Sequence, residues 1–159
     1  MTETQDVPQD TRTIDRFRAL GFFPADHAAA ESGKIYASGA YWTHLRFPAF
    51  PAVLPSMALV AVLQQPFHES HENHRFEMTI ENADCERLPT FKVEGEFRAT
   101  AGLESKYGDA GIIPLAVPLH GVLFERAGDH SFVLSVDGAE IARYKFSVLQ
   151  VFGTIPLSP

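Results

Sequence analysis

Three histidines stand three residues apart in Pro66-Phe-His-Glu-Ser-His-Glu-Asn-His-Arg75: His68, His71 and His74, with Glu69 and Glu72 between them. Imidazole and carboxylate are ligands for zinc, nickel or copper, so this stretch is the candidate site for a divalent transition metal. A three-residue step aligns side chains on a helix. Pro66 and the strand-forming flanks instead place the segment in a hairpin loop, which either converges on an ion or stays solvated. Three imidazoles with pKa near ~6.5 would also gain charge together below neutrality.

The remaining reactive residue types have weaker settings. Cys85 lies in Ala83-Asp-Cys-Glu-Arg87, where adjacent carboxylates disfavour the thiolate that a nucleophilic cysteine needs. The stretch Ala101-Gly-Leu-Glu-Ser-Lys-Tyr-Gly-Asp-Ala-Gly111 is rich in glycine. A phosphate-binding loop, however, needs Gly-Lys-Ser/Thr opening a helix. Ser105 precedes Lys106 and Pro114 follows, so the stretch reads as an inter-strand loop. Ser56 and Ser70 have no glycine elbow. Tyr41, Trp42, His44 and Arg46 could offer sugar or peptide recognition, but a strand alternates its faces and cannot point all four one way. No catalytic residue and no cofactor beyond that possible metal is expected.

The whole chain narrows the classes further. Its 159 residues correspond to one domain, with 45% hydrophobic and 21% charged residues, an ordinary globular balance. A net charge of -7 repels a phosphate backbone, which argues against nucleic acid as a partner. One cysteine excludes an intramolecular disulfide framework and any multi-cysteine metal site. The N-terminus has neither a basic region nor an apolar core of the secretory kind, so a cytoplasmic location is expected. The most apolar region, residues 47–63, is interrupted by Pro48, Pro51 and Pro55, so no membrane span is expected.

Hydrophobic period two dominates from residue 35 onward. Phe91, Val93, Phe97 and Ala99 alternate with Lys92, Glu94, Glu96 and Arg98, and Phe76, Met78 and Ile80 with Glu77, Thr79 and Glu81. Such alternation marks strands with one buried and one wet face. Met57 to Leu63 is apolar throughout, as for a strand covered on both sides. Residues 35–45 form a mixed strand with Tyr36, Tyr41 and Trp42. Residues 112–124 contain Pro114 and Pro118, which assigns that strand to an edge or a bulge. Ile14, Phe17 and Leu20 permit either a short helix or entry into a first strand near 17–23. Matching Phe132 and Leu134 to Ala142, Tyr144 and Phe146 requires an odd loop. A three-residue loop with left-handed Gly138 and a G1-type bulge is therefore expected. Together these elements predict an all-β fold, a single antiparallel β-sandwich of immunoglobulin-like type with about seven strands.

The succession Gly33-Lys-Ile-Tyr-Ala-Ser-Gly-Ala-Tyr-Trp-Thr-His-Leu45, then Phe50-Pro-Ala-Val-Leu-Pro-Ser-Met-Ala-Leu-Val60, then His74-Arg-Phe-Glu-Met-Thr-Ile80, resembles a family of small uncharacterised bacterial proteins. The stretch His130 to Arg143 fits it as well. The resemblance spans roughly residues 19 to 148 and rests on strand and turn signatures. It implies a β-sandwich with no assigned activity and transfers no catalytic residue. Of the three histidines, only His74 falls where that family often carries histidine.

The expected organisation is a flexible tail over residues 1–12, a β-sandwich domain over 13–148 and an apolar tail over 149–159. Phe152, Ile155 and Leu157 in that last tail have no evident strand to complete, and apolar residues left in water invite association. The expected function is therefore contact with protein, by self-assembly or as an accessory subunit, through edge strands or the tail. The alternative is a metal- or small-ligand-binding protein built on His68, His71 and His74.

Overall fold

The computed structural model describes residues 16–69, 71–98 and 110–153. The longest apolar run forms the centre of one antiparallel sheet. There β5 (Ala52–Gln65) lies between β1 (Arg18–Ala25) and β8 (Gly111–Phe124). Pro114 and Pro118 sit on β8, an edge of that sheet, where a missing N–H costs no ladder bond. The segment that permitted helix or strand is strand β1. Its ladder with β5 shifts between Ala19 and Gly21, so Leu20 is an extra, bulged residue. Phe17 packs against the core just before β1, Leu20 is 57% exposed, and Ile14 lies outside the described residues.

The second sheet has the order β4 (His44–Phe47), β10 (Ala139–Gln150), β9 (Gly128–Val136), β6 (His74–Asn82) and β7 (Arg87–Phe97). The expected alternation holds on the core face, where Phe76, Met78, Ile80, Phe91 and Phe97 are buried, and at Lys92, Glu94 and Glu96, which are exposed. Thr79, expected on the wet face, is buried, and Ala99 lies outside the described residues. The remaining strands, β2 (His27–Glu31) and β3 (Lys34–Ser38), form a separate two-stranded sheet.

Three features correct the expected architecture. The described residues hold ten strands in three sheets, not about seven, and β4 pairs with β10 in parallel. The strand expected over 35–45 divides because Gly39 and Tyr41 both have positive φ, at 61° and 63°. A Cβ on Gly39 would also fall within van der Waals overlap of the Asp26 carboxylate. The chain therefore bends between β3 and β4, and β4 reaches the free flank of β10. Finally, β10 runs on to Gln150, and Val151 N–H donates to the Phe47 carbonyl at 3.0 Å. Ladder pairing thus passes the expected domain boundary at 148. The expected tail over residues 1–12 lies outside the described residues.

The turn between β9 and β10 is also instructive. Leu134 does face Ala142 and Phe132 does face Tyr144, as side-chain parity required. Gly138 is left-handed, at φ 85°. The turn itself, however, has only two residues, Asp137 and Gly138, both with positive φ, and the odd residue is placed later, at Ile141. A primed two-residue turn matches the twist of the strands, so the bulge moves into the ladder. Gly138→Ala is expected to cost about 1–2 kcal/mol from left-handed strain alone, because an added Cβ meets nothing within 4 Å. A urea unfolding curve should show a lower midpoint with an unchanged slope.

One apolar core lies between the two larger sheets. Leu59, Leu63 and Phe124 contribute from one sheet and Met78, Ile80, Phe132 and Leu134 from the other. Phe132 and Phe146 stack with centroids 4.4 Å apart, and Trp42 meets both edge-on. Tyr144 completes this corner by donating its hydroxyl to the Trp42 carbonyl at 3.1 Å. No helix among the described residues is long and apolar enough to cross a membrane.

Candidate functional site

The histidine segment connects β5 of one sheet to β6 of the other, so it is a crossover rather than a hairpin loop. It contains one 3-10 turn, Phe67–Glu69. His68 is exposed, with its Nε2 3.6 Å from Glu69 Oε1, and His71 is exposed with φ 73°. His74 begins β6 and is only 4% exposed. Its Nδ1 lies 2.7 Å from Asp137 Oδ2 and its Nε2 lies 3.1 Å from the Glu69 carbonyl oxygen. Both partners accept only, so both ring nitrogens donate and the ring is an imidazolium. Phe17 and Phe97 flank it, with centroids 4.7 and 5.6 Å away.

The electrostatics follow from these contacts. Burial opposes the charge on His74, but the bond to Asp137, the Glu69 carbonyl and the two nearby carboxylate charges outweigh it and raise the pKa above 6.5. Burial likewise opposes ionisation of Asp137. The Arg75 backbone N–H, 3.0 Å from Oδ1, and the His74 ring outweigh it, and the carboxyl pKa falls below 3.8. Both His74 nitrogens are thus committed to protein acceptors. The structure does not bring His68, His71 and His74 together, and the described residues hold no group of three or more His, Cys, Asp or Glu side chains placed to bind a metal.

The two sheets differ sharply on their outer faces. On the five-stranded sheet, charged side chains form a lattice across the strands. Arg87 and Lys92 reach Glu77 at 3.0 and 3.4 Å, and Lys92 reaches Glu94 at 2.7 Å. Arg143 on β10 spans β9 to meet Glu81 on β6 at 2.7 Å. Beneath that bridge lie Val133 and Ser131, 4% and 9% exposed.

Among the described residues the outer face of β1–β5–β8 carries no such lattice, and the charged position in its ladder rows is Arg18, in the row Arg18–Gln64–Ile112. Its central ladder rows read Gly21–Val62–Pro114, Phe23–Val60–Ala116 and Ala25–Ala58–Pro118, none of them charged. Ala58 and Val60 are buried, with β2 packed against β5 and β8. Beside Val62 the face stays open, and Leu20 and Ile112 are 57% and 54% exposed. The reading of Met57 to Leu63 as covered on both sides therefore holds at Ala58 and Val60, while Val62 is half-buried.

The other candidates separate as strand geometry requires. Tyr41 stacks on Phe23 at 4.2 Å, Trp42 enters the core, and His44 and Arg46 point to solvent. Cys85 is exposed in the turn between β6 and β7, with φ 60°. Phe152 is 86% exposed, whereas Ile155 and Leu157 lie outside the described residues. Sequence reasoning missed the hollow above Ser131, about 470 Å³ in volume, which Lys145, Asp129, His44 and the β6–β7 turn enclose. Its signal was faint: two serines, Ser131 and Ser147, on the wet faces of two neighbouring strands, set opposite Lys145 and Asp129.

Residues 20–149 match a family described as a family of unknown function, DUF6941. The chain belongs to the DUF6941 family. The matched span begins in β1 and ends in β10, so it takes in both larger sheets, the His74–Asp137 pair and the hollow. Phe152 falls beyond it. Comparison with curated proteins gives no match.

Proposed function

We propose that this DUF6941 protein is non-catalytic and acts through protein contact, and that the outer face of β1–β5–β8 docks a second copy of the chain. The observation that carries this reading is the contrast between the two outer faces. Each chain bears a net charge of -7, so two copies repel wherever charged surfaces meet. The open patch of Leu20, Val62, Ile112 and Pro114 has one charged residue in its ladder rows, Arg18 across Gln64 from Ile112, so two such acidic bodies approach there with few like charges opposed. Burying the ion-pair lattice instead would strip water from charges already satisfied. Apolar surface removed from water at the patch drives association. The exposed lone thiol of Cys85 fits a reducing compartment, which supports a cytoplasmic site of action.

Native mass spectrometry over a range of concentrations tests this. An even multiple of 17.6 kDa is expected, and Val62→Lys and Ile112→Lys should each weaken association at least tenfold, a cost of about 1.4 kcal/mol. A monomer mass at every concentration, or a multimer indifferent to both substitutions, overturns the docking face. Removing residues 152–159 separates a contribution of the Phe152 tail, since its loss should leave the patch-dependent multimer in place. A stoichiometric adduct lost to chelator would support the alternative function, metal binding in the histidine segment.

A further inference from the structure

The hollow on the five-stranded sheet lies on the face opposite to the proposed contact surface, and its chemistry is of another kind. Its floor comes from register. Ser131 on β9 faces Lys145 on β10, and Asp129 faces Ser147, which in turn faces His44 on β4. Two short hydroxyl side chains among long neighbours leave a depression, and the β6–β7 turn raises one wall. At about 470 Å³ it falls within the range of small-molecule sites.

The groups around the depression are not saturated by one another. Arg75, Arg87, Lys92 and Arg143 all have carboxylate partners, but Lys145 has none among the described residues. Ser131 is 9% exposed, and its hydroxyl has no partner among the described residues either. At His44, Nδ1 and the Thr43 hydroxyl lie 2.9 Å apart; with that hydroxyl donating to Nδ1, the hydrogen is on Nε2, which is then an unpaired donor among the described residues. Against these donors stands a single acceptor of full charge. The Ser147 hydroxyl donates to Asp129 Oδ1 at 2.6 Å, and the other carboxylate oxygen is unused.

A ligand that satisfies this set must accept from Lys145, Ser131 and His44 and donate to Asp129. A fully ionised oxyanion such as sulfate can do only the first. A phosphate that keeps one proton does both, because its P–OH donates to the carboxylate while its other oxygens accept. We propose that the hollow binds a monoprotonated phosphate group, either as the free ion or as a small phosphomonoester. The volume left over above the serines would hold the organic part.

Calorimetric titration of the full chain at about pH 6, at or below the second pKa of both phosphate probes so that each keeps a P–OH to donate, tests this with three probes: inorganic phosphate, glycerol 3-phosphate and sulfate. Saturable binding of phosphate is expected, with sulfate at least tenfold weaker. Lys145→Gln should weaken phosphate binding at least tenfold. Asp129→Asn should bring sulfate and phosphate within about threefold of each other, because an amide can donate to either ion. Tighter binding of glycerol 3-phosphate than of phosphate identifies a phosphomonoester site, and equal or weaker binding identifies a free-phosphate site. The proposal is overturned if phosphate shows no saturable binding. It is overturned equally if sulfate competes on equal terms in the unmodified protein, or if Lys145→Gln binds phosphate unchanged. Both residues lie at the surface, so near-ultraviolet circular dichroism of each variant should match the parent.

Discussion

His74→Ala is expected to lower the unfolding free energy by about 3 kcal/mol, the low end for breaking a buried charged pair. The substitution removes two charge-assisted hydrogen bonds and leaves Phe17 and Phe97 around a void. Asp137→Asn should cost less, about 1–2 kcal/mol: the carboxylate is half-exposed and screened by water, but the single amide oxygen can accept from His74 or from the Arg75 N–H and not from both. The pH dependence has a definite sign. The His74 pKa is raised on folding, so its contribution is complete below about 6.5 and disappears as pH rises through the folded value. The Asp137 pKa is lowered, so its contribution is present above about 3.8 and disappears as pH falls through the folded value. Stability from this pair is therefore greatest between those two limits. Urea unfolding from about pH 5 to pH 9 should show a decline on the alkaline side that His74→Ala abolishes. An unchanged alkaline slope in the variant would remove the imidazolium from the account.

Gly95→Ala is expected to be nearly as damaging. Gly95 on β7 faces Phe76 on β6, and the phenyl ring lies over the glycine. A Cβ at residue 95 would stand 2.5 Å from both Cε1 and Cζ of Phe76. Phe76 is buried against Phe97, so its ring cannot turn away freely. Overpacking of this kind costs about 2–3 kcal/mol. Phe76→Leu in the same chain should recover part of the loss, with a coupling energy above about 0.5 kcal/mol. Additive effects in that double-mutant cycle would show that the ring and the glycine do not interact.

Strand identity was legible wherever one face is buried, because alternation is then written into consecutive residues. Phe76 to Ile80 and Phe91 to Phe97 are the clearest cases, and Pro114 and Pro118 marked an edge for a reason that holds in any sheet. Strand number and direction were not legible. They depend on the left-handed residues Gly39 and Tyr41 and on which flank β4 finds, and no local periodicity records a pairing across a hundred residues. The turn at Gly138 lies between these cases. Parity fixed which side chains face one another, but a bulge at Ile141 satisfies parity as well as a longer loop does. The histidine spacing misled for a different reason. His74 carries its charge for the Asp137 and Glu69 acceptors, and Asp137 is 63 residues away. The hollow above Ser131 was invisible because its walls come from four separate strands and a turn.

The parallel ladder between β4 and β10 has a consequence for the chain as it is made. Strand β4 ends at Phe47 and its sheet partner β10, the only one among the described residues, begins at Ala139, so some ninety residues separate them. At roughly 5–20 residues per second, translation leaves Leu45 and Phe47 without that partner for about 5–20 s. Folding of the second sheet must then close around β10, and a chaperone that shields short apolar segments would have a long opportunity at β4.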